Sequence, residues 1–262
     1  MKHVLIFLLF ATNVGLAQDV LVHSADTITP LDADIFVGID DFNNLFYVKE
    51  NTFFKQQKNQ KTQFVDLQLG ELTSVDILNP LKILLFYRDV NTVVILDNRL
   101  NEITRINFNE LPSIKAVDFA GSGKGQTIWI YNTLLNQIEL FDYLQQRSVA
   151  NTPPLKEAAL LFDTGYNYAY KITKDQLLTY SLYGVLTNSI PIPNIVQLCE
   201  RDQQLILYSK DTGYSLYTRK DESLKPLENL EVIPQQFYLN GEKFYIYDGN
   251  AIHYYTLNHS KK

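Results

Sequence analysis

Apolar residues fall in short runs along this chain, and each run ends at a cluster of Asp, Asn, Gly or Pro. The pattern is clearest from Val75 to Phe108. There Asn79-Pro80-Leu81 separates a first run from Lys82–Tyr87, Asp89-Val90-Asn91 separates that run from Thr92–Leu96, and Asp97–Asn101 leads into Glu102–Phe108. Runs rich in Val, Ile, Leu, Phe and Tyr between such breakers predict strands joined by turns. Four antiparallel strands in about forty residues make one blade of a β-propeller.

The unit repeats. A central run recurs as Leu45–Val48, Ile83–Tyr87, Thr127–Tyr131, Tyr168–Tyr170, Leu205–Tyr208 and Phe244–Tyr247. Turn residues precede each: Asp40-Asp41-Phe42-Asn43, Asn79-Pro80, Gly121-Ser122-Gly123, Asp163-Thr164-Gly165, Glu200-Arg201-Asp202 and Asn240-Gly241. These turns begin at 40, 79, 121, 163, 200 and 240, a period close to forty. Third strands are predicted at Thr52–Phe54, Thr92–Leu96, Gln137–Phe141, Leu177–Tyr180, Tyr214–Tyr217 and Ala251–Tyr255. Weaker outer strands are predicted at Gln63–Leu67, Glu102–Phe108, Arg147–Ala150, Val185–Ile190 and Leu224–Leu230. The sixth repeat lacks a fourth strand, whereas Val20-Leu21-Val22 near the start is a strand without a blade. The prediction is therefore all-β: a six-bladed propeller of four-stranded antiparallel blades, its ring closed by the N-terminal strand, which removes exposed sheet edges.

Composition supports a single globular β domain. Of the 262 residues 46% are hydrophobic, 20% charged and 13% aromatic, and the 17 Tyr and 15 Phe suit cross-strand packing. The formal net charge of −6 and the lack of a basic block argue against nucleic acid, which requires Lys and Arg to neutralise phosphates. Met1–Ala17 has the parts of a secretory signal peptide: Lys2 and His3, an apolar core at Val4–Phe10, and a small residue before Gln18. Asn13 and Gln18 cut the run short of the roughly 20 apolar residues of a membrane span. No later stretch is long and apolar enough to cross a membrane, and no Cys follows the cleavage point for lipid attachment. The organisation read is a leader at 1–17, the propeller at 18–258 and a polar tail at 259–262. Cys199 is the sole cysteine, so no internal disulfide forms, and its place in the run Ile195–Cys199 predicts a buried thiol.

The period resembles that of NHL-type and related six-bladed propellers from Asp19 to Leu257, without the Gly-His…Trp-Asp pairing of WD repeats or the double glycine of kelch repeats. The chain also resembles exported propellers of Gram-negative envelopes. Some of those are accessory subunits of outer-membrane secretion or assembly machines. That resemblance implies a non-catalytic platform for envelope or outer-membrane proteins, placed in the periplasm, at the outer membrane or outside the cell, with no cofactor. An alternative resemblance is to propeller hydrolases and lactonases, which hold a cation at the mouth of the central channel.

Candidate chemistry is sparse. Gly121-Ser122-Gly123-Lys124-Gly125 fails as a phosphate loop, because Gly125 follows the Lys, Asp118 stands at the first Gly position, and Gln126–Tyr131 reads as a strand. His23 and His253 approach each other if the ring closes as predicted, but lack a third ligand. The turns between second and third strands carry Glu50, Asp89, Asp175, Asp211 and Asp248, the candidate cation ligands of the alternative reading. Asp and Asn are also ordinary turn residues, and Lys49, Arg88, Lys174 and Lys210 flank four of the five. No G-x-S-x-G elbow occurs. Tyr245, Tyr247, Tyr254 and Tyr255 put aromatics on both faces of neighbouring strands of the sixth blade, to serve either as interblade core or as a partner surface.

Overall fold

The computed structural model describes residues 21–258 apart from 59, 158, 193 and 221. The predicted leader and tail lie outside the described residues. The first strand, β1 (Leu21–Pro30), belongs to the last sheet. Blade one consists of β2 (Ile35–Ile39), β3 (Leu45–Lys49), β4 (Thr52–Gln57) and β5 (Gln60–Phe64). Blade two is β6 (Ser74–Asp76), β7 (Ile83–Tyr87), β8 (Thr92–Leu96) and β9 (Glu102–Asn107). Blade three is β10 (Val117–Ser122), β11 (Thr127–Asn132), β12 (Gln137–Asp142) and β13 (Arg147–Asn151). Blade four is β14 (Leu161–Thr164), β15 (Tyr168–Ile172), β16 (Gln176–Ser181) and β17 (Leu186–Pro191). Blade five is β18 (Ile195–Arg201), β19 (Gln204–Ser209), β20 (Gly213–Thr218) and β21 (Ser223–Pro226). Blade six is β22 (Gln236–Asn240), β23 (Lys243–Tyr247) and β24 (Ala251–Asn258), with β1 as its outermost strand.

All six sheets are antiparallel and four-stranded, five of them meanders and the sixth completed by β1, so the chain is a six-bladed β-propeller. Burial explains the pattern read from sequence. Every residue of β7 and β8 is buried, because both faces of a blade's middle strands pack on neighbouring blades. The outer strand β5 is exposed at four of its five positions and needs no apolar side chains. Two outer strands lie elsewhere than expected. β5 ends at Phe64 instead of running through Leu67, and β21 stops at Pro226, whose ring nitrogen cannot donate to a ladder.

The predicted closure is present and longer than Val20–Val22. β1 runs antiparallel to β24 from Leu21 opposite Asn258 to Pro30 opposite Ala251, with a bulge between Ser24 and Ile28. Tyr247 reinforces the clasp. Its hydroxyl lies 3.2 Å from the Leu31 carbonyl and 2.9 Å from those of Ala33 and Gly249, so it can donate to any of the three.

The first strands hold the main correction. β10 runs through Gly121 and Ser122, β14 through Asp163 and Thr164, and β18 through Glu200 and Arg201. These residues were expected in turns. They are the ends of the innermost strands, and they surround the propeller axis.

Candidate functional site

One inner strand from each blade, β2, β6, β10, β14, β18 and β22, lines the central channel. The end where these strands begin is a mouth of about 320 Å³, with Phe36, Phe162 and Phe237 among Gln197, Gln235 and Gln236. Below it lies a chamber of about 190 Å³ that shares the Leu198 and Phe237 walls. Val37, Val75, Ala120 and Cys199 add apolar wall to the chamber, and Asp76, Asp163, Thr164, Glu200, Arg201 and Tyr238 give it a polar floor.

The far end is plugged. β6 has only three residues, and the chain after it, Ile77–Lys82, folds across the axis instead of turning at once into β7. The Leu78 carbonyl accepts from Arg201 Nη1 of blade five at 3.0 Å and from the Tyr166 hydroxyl of blade four at 3.1 Å. Lys82 fixes the other end of the plug. Its buried Nζ donates to the carbonyls of Gly123 (3.1 Å), Gly125 (2.9 Å) and Thr127 (3.0 Å). Burial lowers the Lys82 pKa, opposed by the charge of Asp76. The glycine-rich stretch at 121–125 is thus a carbonyl cradle for an ammonium group. Its bare backbone suits that task better than phosphate binding, which requires converging N–H donors.

Charge in the chamber is unbalanced. Asp76 accepts from the backbone N–H of Leu78 (2.7 Å) and Ser122 (2.6 Å). Asp163 accepts from those of Thr164 (2.7 Å) and Glu200 (2.8 Å). Glu200 Oε1 accepts from Gln203 N–H at 3.0 Å. Among the described residues that line the chamber Arg201 is the one cation, and it donates to the Leu78 carbonyl. Asp163 keeps some surface against the chamber, yet protein atoms surround it. Desolvation, then the neighbouring Glu200 charge, push its carboxyl well above the usual range. Desolvation also raises Glu200 to about 7, against the hydrogen bond from Gln203. Glu200 Oε2, Thr164 Oγ1 and the Tyr238 hydroxyl are buried and have no hydrogen-bond partner among the described residues. Close approach of the inner strands comes from glycine. A Cβ on Gly165 would lie 2.4 Å from Glu200 Oε2, and one on Gly38 would lie 2.7 Å from the Tyr238 ring. Cys199 is free and buried, as expected, and desolvation raises its thiol pKa far above the ordinary value.

The five candidate rim carboxylates lie on five different blades. Each sits at a turn on second and third strands, one or two strand widths of roughly 4.8 Å out from the channel wall, and all five are exposed. Glu50 has left-handed φ (+49°) and its N–H donates to Asp34 (2.6 Å), while Asp211 accepts from Asn194 Nδ2 (2.8 Å). The Asp175 carbonyl accepts from Ile192 N–H (2.9 Å), and Asp89 stands in the turn before Asn91. Asp248 pairs with His253 at 2.7 Å, and that hydrogen bond lowers its pKa. No group of three or more His, Cys, Asp or Glu that could hold a metal ion occurs among the described residues. His253 is opposite Ile28 and His23 opposite Thr256, so the register does not pair the two histidines.

The tyrosines divide. Tyr245 and Tyr247 are 2% and 0% exposed, which corrects their reading as partner surface: they are core. Tyr254 and Tyr255 are half-buried, with the Tyr254 ring edge-on to Tyr245 at 5.3 Å. Sequence reasoning missed the residues of the channel floor, Asp76, Tyr238 and the pair Asp163–Glu200. The available signal was an acid recurring just before the central run of blades two, four and five.

No family model and no curated protein sequence matches the chain. Solved structures are similar in fold. One is BBS1N in complex with ARL6DN (11% identity, TM-score 0.60, covering 92% of this chain and 98% of that one). Another is virginiamycin B lyase from Staphylococcus aureus (9% identity, TM-score 0.58, 88% and 99% covered). A third is BamB from Moraxella catarrhalis (8% identity, TM-score 0.50, 83% and 70% covered). At these identities the likeness is one of architecture, shared by binding proteins and enzymes alike. No helix of the described residues is long and apolar enough to cross a membrane.

Proposed function

We propose that this chain is a non-catalytic, exported propeller that serves as a protein-interaction platform, an accessory subunit of an envelope complex for outer-membrane protein secretion or assembly. The observation that carries the reading is a groove of about 540 Å³ between blades three and four. Pro153, Pro154, Leu155, Leu178, Tyr180 and Leu186 line it, and exposed Val185 stands at its rim. The edge strand β17 runs beside it, so an extended apolar segment of an envelope protein finds both an apolar trough and unpaired main-chain groups. The signal-like leader supports export. BBS1N, a propeller of similar fold, is held in complex with ARL6DN. The test is mild-detergent purification of the tagged full-length chain from its own envelope, followed by mass spectrometry. The expected result is stoichiometric outer-membrane protein, lost in Val185→Glu/Leu186→Glu while the melting temperature is retained. A chain recovered alone and soluble ends the subunit reading.

A further inference from the structure

The hairpin of β4 and β5 departs from the acidic balance of the chain. Residues 55–63 include three lysines, Lys55, Lys58 and Lys61, and no acid, on a chain of net charge −6. The register sets Lys55 opposite Thr62 and Gln57 opposite Gln60, so these four side chains share one face of the hairpin. With Asn98 and Arg99 of the turn after β8 they enclose a cleft of about 270 Å³ between blades one and two. Lys55 Nζ donates to the Asn98 carbonyl at 2.6 Å and ties the two walls together. All six lining residues carry N–H or O–H donors, two are cations and none is an acid. Five of the six are exposed and Lys55 is half-buried, so the donors are open to a ligand from solvent.

The two cations are not neutralised by the protein. Elsewhere on blades one and two Lys49 pairs with Asp32, Arg88 with Asp118, and Arg105 with Asp66 and Glu102. Among the described residues no carboxylate oxygen lies within 4.0 Å of the Lys55 ammonium or the Arg99 guanidinium. The acids nearest to Arg99 in sequence are engaged already. Asp97 accepts from the N–H groups of Arg99 and Asn101 (both 2.8 Å) and from Asn101 Nδ2 (3.0 Å). Glu102 takes Arg105 with both oxygens, at 2.8 and 2.7 Å.

Two open cations among amide and hydroxyl donors match a group with several anionic oxygens. A carboxylate offers two oxygens and one charge, whereas a phosphate ester offers three oxygens and close to two charges at pH 8. The guanidinium fork takes two of those oxygens side by side, and the ammonium acts as a point charge on the third. A single cleft on an acidic chain suits one phosphate group and not the repeated phosphates of a nucleic acid. We propose that the cleft between blades one and two binds a phosphate ester, with Lys55 and Arg99 as its cations and Gln57, Gln60 and Thr62 as neutral donors.

A soluble ester and a phospholipid headgroup carry the same group, so the experiment has two arms. The first is calorimetric titration and thermal unfolding of the full chain with glycerol 3-phosphate at pH 8 and constant ionic strength, with sodium acetate as the carboxylate control. The second is co-sedimentation with phosphatidylcholine vesicles, with and without phosphatidic acid. Glycerol 3-phosphate is expected to bind saturably and raise the melting temperature, and acetate is not. Arg99→Gln is expected to weaken binding about fivefold, through the loss of one charged donor at an exposed site. Gln60→Glu keeps both cations but adds a carboxylate to the cleft, and is expected to weaken it about tenfold. Lys243→Gln, at an exposed lysine of blade six, is expected to leave binding unchanged. A response to glycerol 3-phosphate identifies a soluble ester as the source; sedimentation with phosphatidic acid alone, lost in the two cleft variants, identifies a headgroup. No response in either arm, an equal response to acetate, unchanged binding in both cleft variants, or equal weakening in Lys243→Gln overturns the proposal. The assay uses the isolated protein and a different surface from the groove between blades three and four, so its failure is distinct from failure of the envelope purification.

Discussion

Glu139 on β12 and Glu200 on β18 are both buried glutamates on propeller strands, yet their acidities move in opposite directions. Burial raises both. At Glu139 hydrogen bonds from Lys115 (2.6 Å), Ser148 and Asn132 (2.7 Å), with the Lys115 charge, outweigh burial and bring the carboxyl below its usual range. At Glu200 one backbone hydrogen bond and a partly diverted Arg201 do not, and the group settles near 7. Partners, more than depth, therefore decide whether a buried acid is structural or available. Both Glu139 oxygens accept hydrogen bonds, from Asn132 on one and from Lys115 and Ser148 on the other, while Glu200 Oε2 is buried without a partner among the described residues.

The contrast can be broken by substitution. The largest effect is expected from Lys115→Met, which strands Glu139 in the core. A loss of about 3–5 kcal/mol in urea unfolding at pH 7 is expected, with much of it recovered in Lys115→Met/Glu139→Leu. Next is Glu200→Gln. The folded pKa of Glu200 lies above its unfolded value of 4.5, so its contribution to stability is complete below that value and disappears as pH rises through about 7. Glu200→Gln is therefore expected to stabilise by about 3 kcal/mol at pH 8 and hardly at all at pH 4, read by unfolding at both pH values. Asp163, raised as well, adds to the same slope. Glu139 carries the reverse sign: its contribution is present above the unfolded value and fades as pH falls through its lowered pKa.

Smaller effects probe the plug. Lys82→Met removes the donor to three carbonyls and is expected to cost about 2 kcal/mol, with faster hydrogen exchange at Ile77 and Leu78. Tyr166→Phe removes one bond to Leu78 and is expected to cost about 1 kcal/mol in the same unfolding assay. Least of all, Asp248→Asn at the exposed rim is expected to change stability by less than about 0.5 kcal/mol, which distinguishes rim carboxylates from channel ones.

The middle strands were legible because they are buried on both faces. Ile83–Tyr87 and Thr92–Leu96 coincide with β7 and β8. The inner strands were half hidden. Asp163-Thr164 and Glu200-Arg201 read as turn residues, since Asp, Thr and Arg beside Gly or Asp are common turn chemistry. In the molecule the axis of the ring takes the place of solvent, and its polar lining looks like a loop to any rule that equates burial with apolarity. The rim carboxylates misled for the same reason in reverse: turns are visible in sequence, but which turns face the axis is not. Tyr247 illustrates a third limit. Its sequence neighbours are aromatic, but its role is to bond main-chain carbonyls of the segment that follows β1.

The clasp between β1 and β24 also sets a timetable. During synthesis β1 leaves the ribosome nearly a full chain before its partner, and the sixth blade has no outer strand until both ends are present. The β1–β24 pairing joins segments more than two hundred residues apart, a separation that favours slow closure of the ring. Until then β24 is an open edge, able to recruit the β1 of another copy. A circular permutant that joins the two ends through a short linker and opens between blades would make the clasp a local hairpin, and it should close faster and exchange strands less.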